Sequence, residues 1–351
     1  MLRRAGEDVV VLEQGEVAEA WTTRYDRLRL HTVRWLSGLP GSRIPRAYGK
    51  WPSRDRVVDY LRGYARRNEL AVRTGVEVER LDRADGAWAI ATSDGVVQAQ
   101  RVVVATGHSN VPFVPDWPGA FAGELVHSSD YRNPAPYEGK RVLVVGAGNS
   151  GAEIAVDVAD GGASAVWLSV RTPPSIVRRD TLGIPSQLFG LATGHLPVGA
   201  VDRIAATMRR VSVPDLGPYG LPAPARPYTE FLQRRVIPIL DVGIVDAVRG
   251  SRVHVVGALE GFEEGEAVLG DGTRVDPDVV LAATGYRPGL EGLVGHLGVL
   301  DERGDPVVHG SEEHPDAPGL HFVGYSVTLG GAFRMAGIEA KQLAREVRAQ
   351  M

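Results

Sequence analysis

The chain has 351 residues, enough for two domains with a core each. Its residues are 44% hydrophobic and 23% charged, and a formal net charge of -4 gives no electrostatic reason to expect nucleic acid as a partner. It has no cysteine, which excludes disulfides, thiolate metal sites and a catalytic thiol pair. No stretch is long and apolar enough to span a bilayer, and Met1–Gly6 lacks the apolar core of a signal peptide, so a cytoplasmic location is the expectation.

Met1 to Ala5 reads as the last turn of a helix, with Gly6 as its left-handed cap. Asp8 then starts a strand, Val9-Val10-Val11-Leu12, that ends at Glu13. A run of valines without polar alternation suits a parallel strand buried on both faces. Behind Pro52-Ser53, Val57, Leu61 and Tyr64 recur at helical spacing and predict a helix over 52–68. Trp88–Thr92 and Val96-Val97, joined by Ser93-Asp94-Gly95, read as a hairpin, and Arg101–Val104 as a strand ending in Ala105-Thr106-Gly107. A second domain opens near Gly139 with a strand at Val142–Val145, a glycine turn, a helix from about Ser150 to Val158 and a strand at Ala165–Val170. Residues 173–240 are rich in proline and glycine and show one helical patch, Val201–Val211. Ala267–Leu269, the turn Gly270-Asp271-Gly272 and Asp278–Leu281 then lead into Ala283-Thr284-Gly285. The second domain thus repeats the hairpin, strand and Ala-Thr-Gly ending of the first. The tail, 319–351, holds a strand at His321–Val323 and an amphipathic helix from about Gly337.

Gly146-Ala147-Gly148-Asn149-Ser150-Gly151 joins an apolar strand to a helix. In that setting the glycines serve a tight turn, close backbone approach to a pyrophosphate, and close helix–strand packing. The helix start offers free N–H groups and partial positive charge to the phosphates. Arg171 ends the next strand, where an acid would hold a ribose and an arginine instead favours a 2′-phosphate; Arg178 and Arg179 are further candidates. Glu13 is the mirror case, an acid at a strand end placed to bind the ribose of NAD or FAD, with its glycine turn falling before Met1.

Phe121, Gly123, His127, Tyr131 and Arg132 stand in an F-x-G-x-x-x-H-x-x-x-Y-R pattern that resembles the fingerprint of flavin-containing monooxygenases. Trp21-x-x-Arg24-Tyr25-Asp26-x-Leu28-x-Leu30 resembles the family's segment that passes the flavin, and Gly146–Glu153 its NADPH loop. Ala283-Thr284-Gly285-Tyr286 is similar to its ATGY strand, and Pro238–Gly243 to a segment of plant YUCCA enzymes, so the likeness covers essentially the whole chain. The resemblance implies an α/β fold of two dinucleotide-binding, Rossmann-like domains: a discontinuous FAD domain, 1–137 and 286–351, and an inserted NADPH domain, 138–285. It implies an oxidoreductase that uses FAD and NADPH, takes up O₂ as a C4a-hydroperoxyflavin, and oxygenates a small organic substrate at a nitrogen or sulfur nucleophile or a carbonyl.

The FAD contacts it implies are Glu13, Ala20, Trp21, His31, Thr32, Val78, Thr106, Gly107 and Gly324. The NADP contacts are Gly146, Gly148, Asn149, Ser150, Gly151, Arg171, Thr284 and Gly285, and no metal is expected. His31, His127 and Tyr131 are the catalytic candidates, although none needs to be an acid or base where the flavin carries the oxygen chemistry; His127 is read as a structural link. The chain departs from the family in two places. The strand and glycine loop for FAD ahead of Glu13 are absent, which predicts weak FAD binding and little activity for the chain as written. Leu30-His31-Thr32-Val33 stands where many members place an asparagine near the flavin. Two other readings stay open: an NADPH-binding remnant without catalysis, and a Baeyer–Villiger-type monooxygenase, which usually carries tryptophan at the position of Tyr131. A flavin disulfide reductase shares the architecture but requires a cysteine pair.

Overall fold

The computed structural model describes residues 1–181 and 183–350; Leu182 and Met351, the last residue of the expected tail, lie outside them. Helix α1 (Leu2–Ala5) is closed by Gly6 at φ 102°, the left-handed cap expected. Strand β1 (Val11–Glu13) is shorter than its valine run, and it is not buried: Val10 and Val11 are 41% and 42% exposed. Helix α2 (Arg54–Arg67) forms over the expected stretch and buries Val57, Val58 and Tyr60, while Leu61 and Tyr64 of the expected face are half-buried. Strand β2 (Val72–Thr74) pairs with β1 in parallel, Val11 opposite Val72. Pairing explains the exposure of β1, because its other edge meets no strand among the described residues.

An antiparallel meander follows: β3 (Val78–Ala84), β4 (Ala87–Thr92) and β5 (Gly95–Ala99). The predicted hairpin is β4–β5, with Ile90 opposite Val97. β3 was not expected, since its sequence is polar and only Leu81 of it is buried. β6 (Val102–Val104) ends at the first Ala-Thr-Gly.

Five strands then build one parallel sheet. In chain order they are β7 (Glu124–His127), β8 (Arg141–Val145), β9 (Ala165–Ser169), β12 (His254–Val256) and β16 (Val279–Ala282), and their spatial order is β12-β9-β8-β16-β7. Val142, Leu143, Val144 and all of β16 are buried, as suits strands covered on both faces. Helix α3 (Asn149–Asp160) follows the glycine turn. The stretch 173–240 holds β10 (Ile176–Arg178), α4 (Val198–Ser212) and α5 (Pro227–Arg234), and β11 (Ile239–Asp241) pairs with β10 in parallel. β13 (Leu259–Glu263), β14 (Glu266–Leu269) and β15 (Arg274–Val275) form a second meander just before β16. A meander, a parallel strand and Ala-Thr-Gly therefore occur twice, matching the repeat read from the sequence. β17 (Leu320–Phe322) pairs with β6, Phe322 opposite Val104. The last helix, α6 (Ala332–Ala349), begins ahead of the expected Gly337 because Gly331, at φ 92°, sets its start; Gly337 lies inside the helix, against Pro40.

The chain folds into two units, one of Met1–Thr23, Thr32–Val111 and Tyr286 onward, the other of Arg24–His31 and Pro112–Gly285. This division differs from the expected boundaries, because Arg24–His31 and residues 112–137 belong to the second unit. β7 is the edge strand of that unit's parallel sheet, while Tyr25, Tyr131 and Tyr137 join its core beside Ile154 and Val158 of α3. The first unit's core gathers Leu81, Trp88, Val104, Leu290, Leu320 and Phe322. No helix among the described residues is long and apolar enough to cross a membrane.

Candidate functional site

The glycines of the turn after β8 differ in what requires them. Gly146 has φ 109°, and a Cβ on it would lie 2.5 Å from the Ala283 carbonyl oxygen. A Cβ on Gly151 would lie 1.9 Å from the Gly146 oxygen. Both are demanded by packing of the protein against itself. Gly148 is extended (φ -88°, ψ -175°), a conformation open to any residue, and nothing lies within 4 Å of the Cβ it lacks. Its glycine leaves open space at the start of α3, beside unbonded helix N–H groups, where a diphosphate fits. The residues present therefore suit a dinucleotide.

Other predicted residues of this turn have structural partners. The Asn149 side chain donates to the Pro238 carbonyl at 3.1 Å and accepts from the Leu240 N–H at 2.8 Å, so it ties the turn to β11. Ser150 bonds the Tyr25 hydroxyl. Thr284 donates its hydroxyl proton to the Phe113 carbonyl. Gly285, at φ 92°, faces open space, and its carbonyl accepts from His127 Nε2 at 3.0 Å. His127 Nδ1 accepts from the Ser129 N–H at 3.1 Å, which makes the ring neutral with its proton on Nε2. Burial lowers its pKa and favours the same form. The ring thus braces the end of β7 to the Ala-Thr-Gly turn.

Helix α3 carries an acidic row that sequence inspection missed: Glu153, Asp157 and Asp160. Its spacing of four and three was legible, but its partners lie far away in the chain. Glu153 is 5% exposed; its carboxylate accepts the Tyr25 hydroxyl at 3.0 Å and stands 2.7 Å from His31 Nε2. Asp157 accepts the Tyr131 hydroxyl at 2.8 Å and, with Asp160, pairs with Arg27. Burial first, then Asp157, pushes the Tyr131 phenol far above its ordinary pKa, so its proton stays on the ring. His31 and Tyr131 are both engaged by this helix.

Arg171 is exposed at the end of β9. The further candidates beside it are used elsewhere: Arg178 donates to the Ser212 carbonyl, and Arg179 to the Leu30 carbonyl at 2.6 Å. Burial lowers the Arg179 pKa to about 10. The chain bends at Arg171-Thr172, and beyond it these side chains reach Ser212 at the end of α4 and Leu30 of the 24–31 segment.

In the first unit, Thr106 and Gly107 follow β6, and Gly324 follows β17 at the carboxyl end of the neighbouring strand. Thr106 Oγ1 lies 2.7 Å from the Tyr325 hydroxyl. Gly107 (φ 80°) and Gly324 (φ 90°) both face open space, and Glu339 of α6 accepts the Gly324 N–H at 2.7 Å and the Ser326 hydroxyl at 2.6 Å. Glu13, at the carboxyl end of β1, accepts the Gly15 N–H at 3.0 Å. Open glycines at carboxyl ends of parallel strands suit a second nucleotide. Ala20 and Trp21 lie in the short helix Glu19–Thr22, with the Trp21 ring 5.9 Å from Phe333. Thr32 bonds Ser37, and Val78 starts β3 opposite Thr92. His31 falls in the other unit.

An open depression lined by Gly123, Arg141, Glu266 and Asp278 lies at the amino ends of β8 and β16. Ligands of parallel α/β sheets bind at the carboxyl ends, where the glycine turn is, so the depression is not the candidate site. No cluster of metal-ligating side chains occurs among the described residues.

Two units that each suit a nucleotide, in a chain without cysteine, fit a two-nucleotide oxidoreductase that does not work through a thiol pair of its own. A family profile described as pyridine nucleotide-disulphide oxidoreductase matches residues 1–181. An indole-3-pyruvate monooxygenase of Oryza sativa subsp. japonica, YUCCA1, is 35% identical over 322 residues, 86% of this chain and 76% of that protein. Among solved structures, a flavin-containing monooxygenase from Stenotrophomonas maltophilia has a TM-score of 0.70 at 25% identity, over 97% of this chain and 98% of that one. A bacillithiol disulfide reductase from Bacillus cereus has a TM-score of 0.71 at 18% identity, over 100% of this chain and 94% of that one, and shows the fold alone. The chain belongs to the flavin-dependent monooxygenase family, with YUCCA-type relatives, and is an oxidoreductase of the kind that uses FAD and NADPH.

Proposed function

We propose that NADPH is held at Gly146–Gly151 with Arg171 and Gly285, that FAD is held by the first unit through Glu13, Thr106, Gly107 and Gly324, and that the substrate is an aryl-substituted 2-oxo acid. The observation that carries the reading is Gly148, a glycine that no contact within the protein requires, in a chain a third identical to a rice indole-3-pyruvate monooxygenase. Flavin reduced by NADPH supplies the activation of O₂. The protein's own share is placement. Gly148 admits the diphosphate to the start of α3, whose N–H groups and dipole favour it. Asn149, bonded to β11, keeps that turn rigid, and Arg171 meets the adenosine 2′-phosphate. Glu153, Asp157 and their partners fix the 24–31 segment on α3. His127 and Tyr131 act as braces, since each ring already has partners on both sides or is fully enclosed.

The test is turnover with indole-3-pyruvate under isotope-labelled dioxygen, in the presence of FAD and NADPH. Substrate-dependent NADPH oxidation, with label in the organic product, is the expected result. NADPH oxidation unchanged by substrate, with all dioxygen recovered as hydrogen peroxide, would overturn the substrate class.

A further inference from the structure

We propose that Arg3, Arg4 and Arg67, gathered around Ser42 and Asn68 in the first unit, bind a phosphate monoester group, at a place separate from both nucleotide positions. Arg67 Nη2 donates to Ser42 Oγ at 3.2 Å. Its Nη1 lies 2.8 Å from where a Cβ on Gly63 would stand, so the guanidinium folds back along α2 into the space that glycine leaves. Arg4 Nη1 and Nη2 each lie 3.3 Å from the Cβ that Gly41 lacks, and Nη2 is 3.5 Å from Asn68 Oδ1. Arg3 Nη1 donates to the Asn68 carbonyl at 3.3 Å and to the Glu69 carbonyl. Gly41 adjoins Ser42 and Arg67 adjoins Asn68, so these contacts bring three guanidinium groups to one patch of surface. Arg3 and Arg4 precede β1 and Arg67 precedes β2, which puts the patch toward the amino ends of both strands. Glu13 and the proposed FAD position lie at the carboxyl end.

Cations grouped this way repel one another unless an anion stands among them. Among the described residues, no carboxylate pairs with Arg3, Arg4 or Arg67. Their partners are carbonyl, amide and hydroxyl oxygens, which cancel none of the charge. All three side chains are exposed. Between Arg34 and Arg73 the chain has ten basic and three acidic residues, against a net charge of -4 for the whole, so this stretch attracts anions from a distance. The patch is also rigid in advance. Tyr60 donates to the Ser42 carbonyl at 2.8 Å and accepts the Leu39 N–H at 2.7 Å, and Tyr64 donates to the Pro40 carbonyl at 3.0 Å. Two tyrosines of α2 thus hold residues 39–42 against the helix that carries Arg67. The bonds of the three arginines immobilise long side chains before a ligand arrives, so less rotamer entropy is lost on binding. A phosphate monoester carries about -1.5 to -2 charges at pH 7 and three acceptor oxygens, which matches several guanidinium forks at once. A single carboxylate balances only one. The same group occurs on dissolved phosphate esters and on a lipid headgroup.

The experiment uses the full chain with FAD and NADP⁺ in excess, in about 0.15 M salt to screen non-specific attraction. Calorimetry measures binding of glycerol 3-phosphate, and sedimentation measures binding to phosphatidylcholine vesicles with and without phosphatidic acid, whose headgroup is the same monoester. Arg4→Gln and Arg67→Gln are each expected to weaken binding by about tenfold or more, and Arg67→Lys by less. Gly63→Ala meets only the Arg67 guanidinium. It should weaken binding by about threefold or more while raising the unfolding midpoint, because alanine favours a helix interior. Arg62→Gln, on the same helix but bonded to the Val17 carbonyl, should leave binding unchanged. Binding of glycerol 3-phosphate without vesicle binding assigns the site to a dissolved ester. Binding that requires phosphatidic acid vesicles and is lost in Arg67→Gln assigns it to a lipid. If the wild type binds neither probe, the proposal fails. Wild-type affinity in the Arg4→Gln, Arg67→Gln double variant would overturn it as well. So would a loss in Arg62→Gln as large as that in Arg67→Gln, by showing a diffuse positive field without a site.

Discussion

Within one turn, Gly146 and Gly151 are required by packing and Gly148 is not, and substitution separates the two cases. Gly151→Ala puts a methyl group 1.9 Å from the Gly146 carbonyl oxygen, so the start of α3 has to move away from β8. The expected cost is about 1–3 kcal/mol, as for other overpacked interiors, seen as a lower midpoint in urea unfolding. The Cβ added by Gly148→Val has no neighbouring atom within 4 Å, and the extended backbone suits a β-branched residue. Stability should change by less than about 0.5 kcal/mol. NADPH binding, in contrast, should weaken by at least about a hundredfold, because the side chain fills the space left for the diphosphate. A folded Gly148→Val protein with wild-type NADPH affinity would mean that the open space serves no ligand. Equal destabilisation by both substitutions would contradict the packing distinction.

For the elements, the informative object is α3. It is buried nearly all round, which a twelve-residue helix with three acids does not advertise. One face packs on the parallel sheet through Ile154, Ala155 and Val158; the acidic row binds Tyr25, Arg27, His31 and Tyr131. This assigns the fingerprint tyrosine a physical task. Tyr131→Phe removes a donor from Asp157, whose side chain is 13% exposed and still pairs with Arg27. The expected loss is about 1–3 kcal/mol of stability, the cost of an underserved buried acceptor, with NADPH affinity little changed. Equilibrium unfolding of wild type and variant decides it: an unshifted midpoint would remove the bracing role, and a selective loss of turnover without any loss of stability would return Tyr131 to the catalytic candidates.

For the whole molecule, the assignment of one nucleotide to each unit has a direct readout in amide hydrogen exchange. NADP⁺ is expected to slow exchange around 144–152 and 283–285, and FAD around 11–15, 104–107 and 322–326. Protection of the first unit by NADP⁺ alone would reverse the assignment. The same two regions show how far the residue order carried the reading. Four apolar residues followed by a glycine turn and a helical period determine a parallel strand and its helix locally, so β8 and α3 were legible. So were both Ala-Thr-Gly endings, the hairpin of β4 and β5, and the cap at Gly6, since each rests on residues adjacent in the chain. The exposure of β1 was not, because burial depends on which strands lie alongside, and its valines look the same with one neighbour or two. Nor were the unit boundaries, which depend on side-chain bonds from α3 to a segment more than a hundred residues earlier. The sequence by itself determined the family, the glycine turn at Gly146–Gly151, the two Ala-Thr-Gly endings and the lack of a thiol pair. Only the tertiary structure decided that Arg178 and Arg179 are spent on the Ser212 and Leu30 carbonyls, because a guanidinium's partner is set by the path of the chain around it rather than by its distance along the chain.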